Sequence, residues 1–205
     1  MTSTRHWENI YRTRASDQVS WFQPHAESSR RLIEELSPDR SARIIDVGAG
    51  ASVLVDDLLD AGYRNLAVLD IAAPALAVTK ARLGERARDV AWLVGDVTRI
   101  GLGEATYDLW HDRAVFHFLT REDDRRRYVE QVLRAVRPGG HVIVATFGPN
   151  GPLQCSNLDV CRYAPAALHG EFGRPFQLLG HHTEQHLTPS GNSQEFLYCY
   201  CRRAD

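Results

Sequence analysis

Cysteine is scarce: Cys155, Cys161, Cys199 and Cys201 all lie in the last quarter of the 205-residue chain, with no CxxC pair among them. So sparse a set supports no disulfide framework, and reduced thiols are expected. An excess of charge of one sign is missing too, since 24 basic residues stand against 26 acidic ones, for a formal net charge of −2. That balance gives no electrostatic reason to expect nucleic acid or an anionic membrane as a partner. No run approaches the ~20 apolar residues of a membrane span, and the residues from Met1 to Trp7 lack the apolar core of a secretory signal, so a cytoplasmic protein is expected. Low-complexity sequence is absent as well. With 43% hydrophobic and 24% charged residues, the chain can bury one sizeable core, and a single domain over residues 1–205 is expected.

What is present centres on Ala42-Arg43-Ile44-Ile45-Asp46-Val47-Gly48-Ala49-Gly50-Ala51-Ser52, a short apolar run ending in an acid and a loop of small residues. It predicts a buried strand, a tight turn and then a helix. In an open α/β sheet, ligands sit beyond the carboxyl ends of the strands, and residues without a Cβ let a ligand approach the backbone. A dinucleotide fingerprint also wants a third glycine three positions after the second, where this chain has Val53. A nicotinamide-dependent oxidoreductase therefore fits less well than a protein holding a smaller nucleoside, with Asp46 placed to pair with a cationic group.

From residue 43 onward, strand and helix patterns alternate with short connections, which predicts a doubly wound α/β fold with a mostly parallel sheet. Strands are expected at Ile44 and Ile45 and over 65–70, 90–96, 107–110 and 141–147. Helices are expected over 53–61, between Pro74 and Gly84, and from the capping pattern Thr120-Arg121-Glu122-Asp123 to Val136, before a Pro138-Gly139-Gly140 turn. Beyond residues 41–147 lie a loop at 148–152, a short helix at 165–172 and two extended runs at 176–187 and 195–202. The turn-rich connector 188–193 makes those runs an antiparallel hairpin on the sheet edge, with Cys199 and Cys201 in the core. Ahead of the sheet, residues 1–40 read as helical: Trp7 and Tyr11 share a helix face, and Trp21-Phe22-Gln23-Pro24 precedes a second segment over 26–36. This region is expected to cover a sheet edge, to act as an aromatic lid, or both.

Three acids stand at the ends of three strands: Asp46, Asp70 and Asp96. Asp70 follows Gly50 by twenty residues, the spacing at which an acid accepts from both hydroxyls of a ribose. Asp96, after Gly95, is placed to accept from an exocyclic amine such as adenine N6.

Asp46-Val47-Gly48-Ala49-Gly50, Asp70, Gly95-Asp96 and Arg137-Pro138-Gly139-Gly140 resemble the successive motifs of the class I S-adenosylmethionine-dependent methyltransferases. The resemblance covers residues 43–147 and departs at Ser52, where many members have a third glycine. It implies a Rossmann-like seven-stranded sheet ending in the antiparallel hairpin, with S-adenosyl-L-methionine as cofactor. The loop of Gly48, Ala49 and Gly50 would lie against the methionine part, Asp70 on the ribose, and Asp96 on adenine. Asp46, Ile71, Val97, His111, Arg113 and Trp21 would complete the cofactor site.

A narrower likeness rests on Trp7, Tyr11, Trp21-Phe22, His111-Asp112-Arg113, Gly151-Pro152 and Arg162-Tyr163. These resemble the thiopurine and tellurite-resistance methyltransferases, and a set of elongation-factor lysine methyltransferases. The expected reaction is methyl transfer to a small soft or heteroatom nucleophile, with protein lysine as the alternative and non-catalytic cofactor binding as a second. Asp112 and His117 are the candidate catalytic residues, with Cys155 nearby. Trp21, Phe116 and the 148–175 insertion are expected to close the acceptor pocket. Metal is not expected, because on a strand only His182 and His186 share a face, about 13 Å apart at normal rise.

Overall fold

Short runs of Ile, Val, Leu and aromatic residues form strands, seven of which join in one sheet. The computed structural model describes residues 4–205. In chain order the elements are α1 (Thr4–Thr13), α2 (Glu27–Leu36), β1 (Arg43–Val47), α3 (Leu54–Asp60), β2 (Asn65–Asp70), α4 (Ala73–Leu83), β3 (Val90–Val94) and β4 (Tyr107–Arg113). They continue as α5 (Glu122–Ala135), β5 (Val136–Phe147), the small hairpin β6 (Gln154–Cys155) and β7 (Leu158–Asp159), α6 (Pro165–Phe172), β8 (Phe176–Leu187) and β9 (Ser193–Arg203).

The seven-stranded sheet has the order β3-β2-β1-β4-β5-β9-β8. The first five strands pair in parallel, while β9 is antiparallel to both β5 and β8. The doubly wound, mostly parallel fold is as expected, but only β8 of the hairpin takes the edge. β9 is threaded inside the sheet. Among the described residues no helix is long and apolar enough to cross a membrane.

Alternation along the strands divides two cores. Ile44, Leu109, Ile143, Phe196 and Tyr198 pack on one face with Leu32 and Ile33 of α2 and Leu54 and Leu58 of α3. Ile45, Trp110, Val144, Leu197, Cys199 and Cys201 pack on the other with Tyr128 and Val132 of α5 and Leu168 and Phe172 of α6. The two cysteines are core residues, as the alternation predicts.

Three local expectations are corrected. β4 runs past residue 110 to Arg113, so His111, Asp112 and Arg113 are strand residues that alternate between faces. The capping pattern does not form: Arg121 is the N-cap without a side-chain bond, and Glu122, Asp123 and Asp124 instead place acids at the positive end of the α5 dipole. Pro138-Gly139-Gly140 lies within β5, beside a register shift between Tyr107 and Leu109 of β4.

That last motif is demanded by crowding. A Cβ on Gly140 would lie 2.9 Å from the backbone oxygens of both Asp108 and Arg137, and 2.7 Å from Val136 Cγ1. Backbone cannot move aside as a side chain can. Gly140→Ala is expected to lower stability by ~1–3 kcal/mol in urea unfolding, and an unchanged midpoint would contradict this packing.

Candidate active site

The site begins where β2 ends beside the glycine loop. Leu69 O accepts from Gly48 N at 2.7 Å and from Ala49 N at 3.2 Å. Asp70 Oδ2 accepts from Gly50 N at 2.8 Å, and Oδ1 from Ala72 N at 2.7 Å. Asp70 is buried, and that burial raises its pKa to about 6 against the pull of these N–H groups. The loop needs its glycines: Gly48 has φ +64°, and a Cβ there would stand 1.8 Å from Val115 Cγ2. On Gly50 a Cβ would meet the Tyr11 hydroxyl at 2.1 Å, so α1 lies directly on the loop.

Beyond this knot opens a cleft. One end holds Asp70, Ile71, Gly95, Asp96 and Val97. Asp96 Oδ1 takes the backbone N and hydroxyl of Thr98 at 2.9 and 2.7 Å, which aims the carboxylate. The other end is aromatic. Trp7 packs edge-on against Phe118 and Trp21, with centroids 5.0 and 5.7 Å apart, and Tyr11 meets Trp21 at 6.4 Å. Cys155, from the insertion, closes this end. Burial pushes its thiol up to about 11.

Of the expected cofactor residues, Trp21, Gly48, Asp70, Ile71, Gly95, Asp96, Val97 and Arg113 line this cleft. Asp46, Ala49 and His111 do not; they line a smaller adjoining cavity, together with Gly48, Trp21 and Arg113. Gly50 is buried beneath Tyr11. One oxygen of Asp46, Oδ1, is bonded to His111 Nδ1 at 2.7 Å. Arg113 spans both spaces. Its guanidinium donates to Tyr198 Oη at 3.2 Å, to Trp21 O at 3.2 Å and to Glu184 Oε1 at 3.4 Å.

Residues 45–144 match the family model described as a methyltransferase domain. The chain is 25% identical over 149 residues to the eEF1A lysine and N-terminal methyltransferase of Danio rerio, which covers 71% of this chain and 21% of that one. The chain therefore spans about a fifth of the length of the elongation-factor methyltransferases it matches. A solved structure described as the conversion of a disulfide bond into a thioacetal group during echinomycin biosynthesis superposes with a TM-score of 0.78 at 17% identity, covering 98% of this chain and 93% of that one. The 1,6-didemethyltoxoflavin-N1-methyltransferase of Burkholderia thailandensis, with bound S-adenosylhomocysteine, gives 0.69 at 18%, covering 100% and 85%. Residues 45–144 carry a methyltransferase domain, and the fold is the one that class I S-adenosylmethionine-dependent methyltransferases share. The structural likenesses show its fold, and the relatives' acceptors include both protein lysine and small molecules.

Within this methyltransferase domain the two expected catalytic residues are turned away from the cleft. Asp112 is fully buried: Oδ1 accepts from Val115 N at 2.9 Å, and Oδ2 accepts from Phe116 N at 3.1 Å and Tyr128 Oη at 2.6 Å. Desolvation raises its pKa to about 6. Its work is to fold the turn after β4. His117 is fully buried against Phe118 and Phe147, and its Nδ1 accepts from Phe147 N at 3.2 Å. Burial lowers its pKa to about 3, so it stays neutral. Phe116 does not close the pocket either, because it packs on the opposite face with Tyr128, Tyr163 and Phe172. Phe118 takes that place. Ala114, Val115 and Leu119 also line the cleft; the apolar run after β4 signalled them, but expectation had settled on its histidine.

Asp112→Ala would strand the two backbone N–H groups and the Tyr128 hydroxyl in the core. A loss of ~3 kcal/mol or more in urea unfolding is expected, from stranded donors at ~1–3 kcal/mol each. Wild-type stability in that variant would show that the carboxylate is not structural.

Proposed function

We propose that this chain transfers the methyl group of S-adenosylmethionine to a small, soft nucleophile such as a thiol. The cradle fits the cofactor. Each oxygen of Asp70 receives one N–H and keeps a lone pair, which suits two ribose hydroxyls. Asp96 lies farther along for the adenine amine, between Ile71 and Val97, and Gly48 passes the methionine part without a Cβ in its way. The bound sulfonium supplies a methyl group that is already activated. The protein's part is to align donor and acceptor in a dry space, an effect worth up to ~7–11 kcal/mol.

The observation that carries the choice of acceptor is the aromatic end of the cleft. Trp7, Trp21 and Phe118 enclose it, the Cys155 thiol is held protonated, and among the described residues Asp70 and Asp96 are the only carboxylates that line the cleft. Both stand at the nucleoside end. A lysine ammonium finds no partner acid beside those rings, whereas a thiol gives up its proton near neutral pH and needs only a mild base. The conversion of a disulfide in the echinomycin-related neighbour supports sulfur as a target for this fold. Trp7 and Tyr11 of α1 act as the lid, since the ligand must pass beneath them.

Asp70→Ala is expected to weaken S-adenosylmethionine binding at least tenfold, through loss of two charge-assisted hydrogen bonds worth ~1.5–3 kcal/mol each. The wild type should show a pH dependence from the same group. Its raised pKa means that the accepting carboxylate is protonated below about 6, so affinity is full above that value and falls as pH drops through it. Calorimetry across this range checks both, and a flat profile with an unaffected variant would remove Asp70 from the ribose. For the acceptor, labelled cofactor is offered to small thiols and selenols, and separately to a cell lysate resolved on a gel. Small methylated products are expected. Label confined to a discrete protein band would favour the lysine alternative, and saturable cofactor binding without transfer to either would favour a non-catalytic protein.

A further inference from the structure

A thiol that takes up a methyl group must lose a proton, and the acceptor end of the cleft holds no group to receive one. Among the described residues, the titratable side chains that line the cleft are Tyr11, Asp70, Asp96, Arg113 and Cys155. Asp70 and Asp96 stand at the nucleoside end, each holding backbone N–H groups there. Arg113 can only donate, and it already does so to Tyr198, Trp21 and Glu184. Burial raises the pKa of both the Tyr11 hydroxyl and the Cys155 thiol, so each keeps its own proton. None of the five serves as a base for a molecule seated among the rings.

What that end does hold is aromatic surface. Trp7 meets Trp21 at 80° and Phe118 at 77°, and Tyr11 meets Trp21 at 73°. Rings joined near right angles wall a corner, and a guest in that corner has ring faces on two sides. The face of an aromatic ring carries negative charge density, so it attracts a cation, more strongly where water is excluded, and repels an anion. This end therefore favours positive charge on the acceptor and disfavours a thiolate. Arg113, the one basic side chain among the described residues that line the cleft, does not compete for the rings. Its charge is answered elsewhere, by Glu184 at 3.4 Å and by the ring of Phe196.

We infer that the acceptor this cleft is built for is a small neutral thioether or selenoether, which leaves as a sulfonium or selenonium cation held by Trp7, Trp21 and Phe118. The inference narrows the soft nucleophile proposed above and rests on that reading. A lone pair of the acceptor's sulfur forms the new bond to the methyl carbon while the donor's bond to that carbon breaks. The electron pair of the broken bond stays on the donor sulfur, which becomes neutral as the acceptor sulfur becomes positive. No proton moves. One positive charge enters the step and one leaves it, shifted from sulfur to sulfur, so the apolar end of the cleft never has to desolvate an anion. A thiol reacts only in its ionised fraction, whereas a thioether reacts as it stands.

One arm of the test needs no turnover. Trimethylsulfonium is titrated into the complex with S-adenosylhomocysteine, beside tert-butanol as a neutral molecule of similar size. The cation should bind at least about tenfold tighter. Replacing Phe118 by mono-, di- and trifluorophenylalanine drains the ring face at nearly constant size. Affinity for the cation should fall stepwise along this series, by about tenfold at its end, while S-adenosylhomocysteine is held within about threefold of wild type. The second arm offers labelled cofactor to dialkyl thioethers and to thiols of matched size, and collects charged products on a cation exchanger. Thioethers should yield trialkylsulfonium ions at a rate that is flat above about pH 7, whereas the thiol rate should climb with pH. The fluorinated series should slow the thioether about tenfold and the thiol by less than about twofold. Thiols methylated with no thioether accepted would overturn the inference and leave the soft-nucleophile reading standing, while transfer to neither would reject both. Equal slowing of both acceptors, or a fall in S-adenosylmethionine affinity in step with fluorination, would assign the rings to the donor and overturn the inference. Trimethylsulfonium bound no tighter than tert-butanol would overturn it as well.

Discussion

The buried carboxylate of Asp70 is the contact from which the site is assembled. One oxygen holds the glycine loop after β1 through Gly50 N, and the other holds the start of α4 through Ala72 N. Two chain segments that diverge from neighbouring strands are thus fixed to one small anion. Removing a carboxyl group from water is unfavourable unless hydrogen bonds replace the lost hydration. Here the loop supplies them, so the acid needs the loop in place as much as the loop needs the acid. Tyr11 then seats on Gly50, and the N-terminal helix inherits its position from the same knot.

A second set of contacts links the aromatic roof to the far side of the sheet. Arg113 grips the backbone of Trp21, Gln23 reaches Glu184 at 3.1 Å, and His186 donates to Ser20 O at 2.8 Å. The linker between α1 and α2 is therefore tied to β8 at two points and to β4 at a third. Arg113 also stacks on Phe196, its guanidinium carbon 4.1 Å from the ring centroid. The roof does not depend on ring packing alone.

Much of this was legible because strand-end acids and glycine turns are short-range signals. Asp70, Asp96 and Gly48 could be placed from the residues around them, and the sheet followed from the alternation of strand and helix. The side chains after the fourth strand could not. With that strand ended at Trp110, Asp112 and Arg113 lay beyond it at the ligand edge of the sheet, and nothing told which face each would take. In the structure β4 continues, so period-two alternation sends His111 and Arg113 to the α2 face and Asp112 to the α5 face. The capping pattern failed for a similar reason: the actual start of α5 is set by how the chain leaves the 116–118 turn, a tertiary matter. Nothing local marked Ser29 as a partner of His111, because that contact joins residues 82 positions apart.

The insertion of β9 between β5 and β8 bears on how the protein forms in the cell. During synthesis β5 leaves the ribosome with one edge lacking its final neighbour, and β8 emerges with no strand beside it. Both edges are closed only when residues 193–203 arrive. Until then the apolar β5 edge is open to pairing with any other nascent strand, the situation in which chaperones protect a growing chain. The tether from β8 to Ser20 and Gln23 is delayed with it, so the aromatic roof comes to rest only after residues 193–203 have been translated.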